Sequence, residues 1–192
     1  MTEELLKIRK RLSEKLKKER FEHTVGVMYT AGALAMCYGE DMELALTAGL
    51  LHDCGKYCSA KDQITLCQNY GIELTASELM MPALVHAKLG AYLARHEYKI
   101  KNQAILDSIT YHTTGRPGMT MLEKIIYIAD YIEPNRRPIP GLDEIRGIVF
   151  RNIDRAVYLS AERTVQYLKD GGKSIDPMTI STCEYYKKSI AE

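Results

Sequence analysis

Five histidines occur in the chain, at 23, 52, 86, 96 and 112, and four of them stand where an apolar helical pattern points inward. His23 opens the stretch HisThrValGlyValMet, His86 follows AlaLeuVal, and His112 lies one helical face along from Ile105 and Ile109. His52 and Asp53 end a helix of small apolar residues just before Gly55, and Asp130 interrupts the run IleIleTyrIleAlaAsp. Ionisable groups are costly to bury without partners. For His52 and Asp53 alone, a helix cap or a satisfied core pair is the simpler reading. Together the groups ask for more. Imidazole nitrogens and carboxylate oxygens suit iron, manganese, zinc or cobalt, and four His plus two Asp exceed what one tetrahedral ion takes. Two metal ions are the economical reading, with His23, His52, Asp53, His86, His112 and Asp130 as ligands. His96, in ArgHisGluTyrLys, reads as part of a solvated face and is left out.

These groups need rigid elements to bring them together, and the chain reads as helical from end to end, without alternating β-branched stretches. Leu5, Ile8, Leu12 and Leu16 make one apolar stripe on a charged first helix, and a second helix runs from about Glu22 to Gly39, a natural C-terminal stop. Asp41 can cap a third helix toward His52, and Ser59 opens a short helix that Gly71 closes. Thr75 or Ser77 begins the next, read as one helix carrying His86 and Gly90, and Asn102 caps another that ends near His112. Thr120 with Glu123 is a capping box, so a helix starts at about Met121, passes Asp130 and stops before Pro134. A long helix over about Ile153 to Leu168 precedes Gly171 and Gly172, and Asp176 with Pro177 suits the cap and first position of a last one. The ArgArgProIleProGly stretch from Arg136 reads as a loop over a site rather than a linker. The expectation is an all-α fold in a single domain, residues 1–192.

With 46% hydrophobic and 27% charged residues and 26 basic against 25 acidic groups, a net charge of +1, these 192 residues suit one soluble core. That balance excludes collagen-like, low-complexity and disordered classes. No apolar run nears the roughly 18 residues of a membrane helix, and the N-terminal segment alternates apolar and charged positions, unlike a signal peptide. The expected location is the cytoplasm, with no membrane partner. The five cysteines, Cys37, Cys54, Cys58, Cys67 and Cys183, are an odd number without an export signal and read as reduced thiols, and their spacing does not suit structural zinc. Eight basic residues between Lys7 and Arg20 would allow a patch for RNA or anionic membrane, but Glu14 and Glu19 interrupt them and no aromatic stands among them. A solvated helix face is preferred, and nucleic acid is not expected as a partner.

The order His23, His52 with Asp53, His86, His112 and Asp130 resembles the HD superfamily of metal-dependent phosphohydrolases, in the form whose extra histidines hold two metals. ArgPheGluHisThr at 20–24, GlyLeuLeuHisAspCysGlyLys at 49–56, TyrHisThrThrGlyArgPro at 111–117 and TyrIleAlaAspTyrIleGluProAsnArg at 127–136 are similar to motifs of the bacterial YqeK family. The last two are highly specific, and the resemblance covers nearly the whole chain. It implies a symmetrical dinucleoside tetraphosphate hydrolase, with diadenosine tetraphosphate plus water giving two ADP, and it adds Thr113 of the third motif to the substrate-binding residues. Cys54, Gly55 and Ala87 depart from the family's pattern at positions that concern the pocket rather than the ligands.

Such a reaction needs a nucleophile stronger than water and positive charge where the transferring phosphoryl group spreads its negative charge. Two ions roughly 3.5 to 4 Å apart would supply both, acidifying a shared water and holding phosphate oxygens in line. Asp53, adjacent to His52 and able to offer two oxygens, is the expected bridging carboxylate; His23, His52 and Asp130 would complete one ion, His86 and His112 the other. ADP is a good leaving group, so cations matter more than a strong acid. Lys56 and Arg20 answer that need: Arg20 shares a helical face with His23, and Lys56 lies three residues after Asp53. Arg116, Arg136 and Arg137 are candidate phosphate forks. Iron is the expected metal, with manganese, cobalt or zinc as alternatives; the partner is a small-molecule nucleotide, and a homodimer is left open. Three rivals stand beside this reading. One is another HD enzyme with the same ligands, a nucleotidase or an alarmone or cyclic-dinucleotide hydrolase; one is a di-iron oxygenase; one is a metal-bearing module docking on RNA or ribosomes through the basic first helix.

Overall fold

Polar side chains open most of the helices. Asp41, Ser59, Asn102, Thr120 and Asp176 each accept a hydrogen bond from a backbone N–H of the turn that follows, satisfying donors that a helix start otherwise leaves unpaired. The computed structural model describes residues 1–191, which form eleven α-helices: α1 Glu3–Lys15, α2 Lys18–Tyr38, α3 Met42–Leu51, α4 Ala60–Asn69, α5 Ala76–Met80, α6 Val85–His96, α7 Gln103–Tyr111, α8 Met121–Ile132, α9 Leu142–Ile148, α10 Ile153–Asp170 and α11 Pro177–Ser189. No strand occurs among the described residues, and the fold is all-α. No helix among them is long and apolar enough to cross a membrane.

The structure corrects the sequence expectation in three places. α2 starts at Lys18 rather than Glu22, because only the extended Leu16 and Lys17 separate it from α1; Arg20 and His23 therefore share one helix. The helix expected from Thr75 through Gly90 is broken. Pro82 has no N–H to donate and disfavours a helical residue before it, so α5 ends at Met80, a 3₁₀ turn spans Pro82–Leu84, and α6 starts afresh at Val85, one residue before His86. The stretch from Arg136 to Gly141 is loop, as expected, but the sequence reading has no helix directly after it. The loop runs into α9, whose Leu142 and Ile145 are buried, a helix that seven residues are too few to announce by a period in the sequence.

α2 packs against α3 and α8, α7 bridges α6 to α8, and α10 packs on both α8 and α11. The buried side chains of these helices, among them Val27, Met28 and Leu34 of α2, Leu50 and Leu51 of α3, Leu89 of α6, Ile109 of α7 and Ile125 and Ile126 of α8, form one contiguous apolar cluster. The α1 stripe of Leu5, Ile8, Leu12 and Leu16 is buried in the same cluster. Burying a side chain of this size is worth about 1.5–3 kcal/mol. The helices that carry the ionisable groups are thus fixed by the core they build.

Candidate metal centre

Five helices deliver six ionisable side chains to one point. His23 comes from α2, His52 and Asp53 from the end of α3, His86 from the start of α6, His112 from the end of α7 and Asp130 from the last turn of α8. All but Asp130 are buried. Asp53 is the hub. Its Oδ2 lies 3.4 Å from His52 Nε2 and 3.8 Å from His23 Nε2, while its Oδ1 lies 3.4 Å from His86 Nε2 and 3.5 Å from His112 Nε2. Asp130 Oδ1 lies 3.0 Å from His23 Nε2 and 3.8 Å from His52 Nε2. The two oxygens of one carboxylate face two different histidine sets.

The outward ring nitrogens explain why the inward ones are available. Nδ1 of His52, His86 and His112 faces the backbone oxygen three residues earlier, Gly49 at 2.7 Å, Ala83 at 2.6 Å and Ile109 at 2.7 Å, and Nδ1 of His23 faces Glu133 Oε1 at 3.1 Å. Carbonyl and carboxylate oxygens accept only, so each Nδ1 donates and, in a neutral ring, each Nε2 turns a lone pair inward. Burial, and then the Lys56 cation, push the His86 imidazole well below its usual pKa, and burial pushes His52 down. Burial alone would raise the Asp53 and Asp130 carboxyls, but the surrounding histidines outweigh it and hold both well below the usual carboxylate range. Burial lowers His23, yet Asp130 and Glu133 pull it above its usual value, so this ring stands where two carboxylates demand positive charge.

Neutral imidazoles and ionised carboxylates are the forms that bind metal. His52 Nε2 is buried without a hydrogen-bond partner, while His23 Nε2 has the Asp130 carboxylate at 3.0 Å and Asp53 Oδ1 the Lys56 ammonium at 3.1 Å; ring lone pairs and carboxylates packed this closely are what a cation would satisfy together. One group of ligand atoms, from His23, His52 and Asp130, lies within 4.8 Å of one another, and so does a second, from His52, Asp53 and His112. His52 belongs to both, so the expected partition, with His52 on the His23 side, is one of two that the geometry allows. The donor set fits divalent metal binding.

Cations surround the hub. Arg20 Nη1 lies 2.8 Å from Asp53 Oδ2, and Lys56 Nζ lies 3.1 Å from Asp53 Oδ1. The centre opens into a cleft of about 1850 Å³ whose lining includes His23 and His86. Lys17, Lys18, Arg20 and Lys56 enter it from the start of α2 and the turn after α3, and Arg136, Arg137 and Arg163 from the segment after α8 and from α10. Arg136 Nη1 reaches within 3.9 Å of Asp130 Oδ1. Thr113 Oγ1 lies 3.2 Å from His86 Nε2 and 3.1 Å from His112 Nε2. Arg116 is placed elsewhere, contrary to the expectation of a phosphate fork. Its Nε pairs at 2.8 Å with the buried Glu123 of the α8 capping box and its guanidinium covers the Tyr111 ring, so it braces the turn between α7 and α8. Glu133, which holds His23, is the residue that sequence reasoning misses. The available signal is a second carboxylate three residues after Asp130, at the end of an apolar helix.

Comparison with known proteins agrees with this geometry. A family model described as HD domain matches residues 20–135, a span that includes all six residues of the cluster. The symmetrical bis(5′-nucleosyl)-tetraphosphatase of Bacillus subtilis (strain 168) is 40% identical over 173 residues, covering 89% of this chain and 91% of the relative. Its namesake from Staphylococcus aureus (strain NCTC 8325 / PS 47) is 37% identical over 185 residues, covering 94% of this chain and 93% of the relative. A crystal structure from Clostridium acetobutylicum, described as a predicted HD superfamily hydrolase involved in NAD metabolism, matches with a TM-score of 0.91 at 39% identity, covering 95% of this chain and 96% of that one. With the shared fold, the matched span and the histidine–aspartate cluster in place, the chain belongs to the HD-domain family, in the YqeK-type branch that holds the symmetrical bis(5′-nucleosyl)-tetraphosphatases.

Proposed function

We propose that this chain is a metal-dependent symmetrical dinucleoside tetraphosphatase that cleaves diadenosine tetraphosphate with water into two ADP. The observation that carries the reading is Asp53, a buried carboxylate whose two oxygens face separate histidine sets, beside a large cleft that His23, His86 and several cations help to line. Relatives similar over nearly their whole length bear that activity in their names.

His23, His52 and Asp130 would hold one ion, His86 and His112 the other, with Asp53 between them; iron is our choice of metal, and the same donors are compatible with manganese, cobalt and zinc. Bound there, such ions supply Lewis-acid polarisation of phosphate oxygens and lower the pKa of water. The chain's own part is positioning and charge. Lys56 and Arg20, each beside one oxygen of Asp53, put positive charge where a phosphoryl group in transfer spreads its negative charge. The Thr113 hydroxyl, next to His86 and His112, can donate to a phosphate oxygen. Arg136 and Arg137 enter the cleft from the segment after α8, and Lys17 and Lys18 from the junction of α1 and α2. Cations from separate elements suit a polyphosphate that continues beyond the cut on both sides, whereas a terminal phosphate would need only one such set. A cytoplasmic site of action goes with that substrate class.

A nucleotide panel tests the reading: dinucleoside polyphosphates, nucleoside triphosphates, cyclic dinucleotides and guanosine alarmones, with products resolved by ion-exchange chromatography. ADP as the sole product from diadenosine tetraphosphate, at a higher kcat/KM than for any other member of the panel, supports it. Faster turnover of an alarmone or a cyclic dinucleotide overturns it.

A further inference from the structure

Three of the four histidines at the centre rest Nδ1 on a neutral backbone carbonyl, and His23 alone rests it on a carboxylate, Glu133 Oε1 at 3.1 Å. Glu133 is only 1% exposed. Its Oε2 accepts the Asn135 N–H at 2.7 Å, and its backbone oxygen accepts from Arg146 Nη2 at 2.8 Å. Gly26, three residues after His23 on α2, makes room for it: a Cβ there would lie 2.4 Å from Glu133 Oε2. The carboxylate sits in a fitted slot between α2 and the end of α8, with one oxygen on the ring and the other on the backbone.

We infer that Glu133 is a positioning residue that makes the two metal positions unequal, so that the ion held by His23, His52 and Asp130 binds more tightly and loads before the ion held by His86 and His112. The inference rests on the dinuclear reading above. A full negative charge behind an imidazole raises the electron density that Nε2 presents, and a neutral carbonyl does so far less. Outer partners of this kind are commonly worth about 10- to 100-fold in metal affinity. The remaining carboxylates act in the same direction, whereas the cations are shared between the two sides, Arg20 Nη1 lying 2.8 Å from Asp53 Oδ2 and Lys56 Nζ 3.1 Å from Asp53 Oδ1. The His23 ring has Asp130 as a further carboxylate at 3.0 Å. Among the described residues, the His86 and His112 rings have Asp53 as their one carboxylate within 4.0 Å.

Zinc ion is titrated into the metal-free full chain in competition with a chromophoric chelator, while the histidine nitrogen-15 resonances are followed by NMR. Wild type should bind in two steps about 10-fold or more apart, with His23 Nε2 shifting in the first step and His86 and His112 Nε2 in the second. Glu133→Gln keeps the size but leaves one acceptor for two donors and no charge. It should weaken the first step by about 10- to 100-fold and leave the second unchanged. Gly26→Ala, which displaces the carboxylate from the other helix, should reproduce that selective loss. If all rings of wild type shift together, or if Glu133→Gln leaves the first step unchanged or weakens both equally, the inference fails while the dinuclear reading stands. Saturation at one ion or none overturns both. If neither variant folds, the order of the wild-type resonances decides.

Discussion

Gly55 lies directly against the backbone of His86: a Cβ added to Gly55 would meet the His86 carbonyl oxygen at 2.5 Å and the Gly90 nitrogen at 3.0 Å. The turn that carries Asp53 and Lys56 therefore rests on the helix that carries His86 with no side chain between them. The Cys54 thiol, which donates to the Gly90 oxygen at 3.3 Å, ties the same two segments. Backbone contact thus sets the 3.4 Å between Asp53 Oδ1 and His86 Nε2.

Gly55→Ala should force this turn and α6 apart. The expected cost is about 1–3 kcal/mol of stability, the range for overpacking a filled interior, together with a fall in kcat/KM as Asp53 and His86 separate. Gly147→Ala is the control, because nothing lies within 4 Å of a Cβ there. It should be neutral or stabilising, as alanine is the better helix former. Urea midpoints and rates measure both. Equal stabilities for the two variants would contradict the contact.

Asp53→Ala should lower kcat/KM by several orders of magnitude and deplete bound metal, since it removes the one carboxylate that faces both histidine sets and leaves Arg20 and Lys56 without their anion. His96→Ala should stay near wild type, because His96 is exposed and stacks only on Tyr92. Elemental analysis after anaerobic purification should find two metal ions per wild-type chain, iron foremost. Comparable losses in the two variants would mean that the centre lies elsewhere.

The cluster itself is legible in the sequence, and its supports are much less so. His23, His52, Asp53, His86, His112 and Asp130 stand out because each puts a costly ionisable group into an apolar period. Helix starts at Asp41, Ser59, Asn102, Thr120 and Asp176 are legible for a local reason, since a cap bonds a backbone N–H only two or three residues on. Glu133 and His23 are separated by 110 residues, and nothing in either neighbourhood announces the other. Arg116 illustrates the same limit. A loop arginine near a histidine motif reads as a phosphate ligand until the turn between α7 and α8 places Glu123 beside it.

Lys56→Ala and Arg20→Ala should lower kcat more than they raise KM, by about 2 to 4 kcal/mol each in transition-state stabilisation if both act on the phosphoryl group in transfer. Arg137→Ala should mainly raise KM, since Arg137 lines the cleft beyond the centre. A reversed pattern would exchange the roles and put Arg137 beside the reacting phosphorus.

Arg116→Ala should act through stability. It strips the buried Glu123 of its ion-pair partner, and an unpaired buried acceptor costs about 1–3 kcal/mol. Thermal unfolding should show the loss, while KM for the nucleotide stays close to wild type. A large rise in KM at unchanged stability would return Arg116 to the substrate.

The position of the cut is read most directly from where the oxygen of water ends up. If water attacks one of the two inner phosphorus atoms of diadenosine tetraphosphate, its oxygen enters one product at the terminal phosphate, and the other ADP leaves with the bridging oxygen and no label. Hydrolysis in heavy-oxygen water followed by mass spectrometry should therefore find a single label on half of the ADP molecules, all of it on the β-phosphate, with no AMP or ATP. The pattern needs one nucleophile per turnover and a centre that meets the polyphosphate at its middle. The cleft is built for that: cations enter it from the start of α2 and the turn after α3, and again from the segment after α8 and from α10, so phosphates beyond the cut have partners on separate elements. AMP plus ATP would place the attack at an outer phosphorus. Label on the α-phosphate would do the same, and either outcome would defeat the symmetrical reading even with every ligand of the centre correctly assigned.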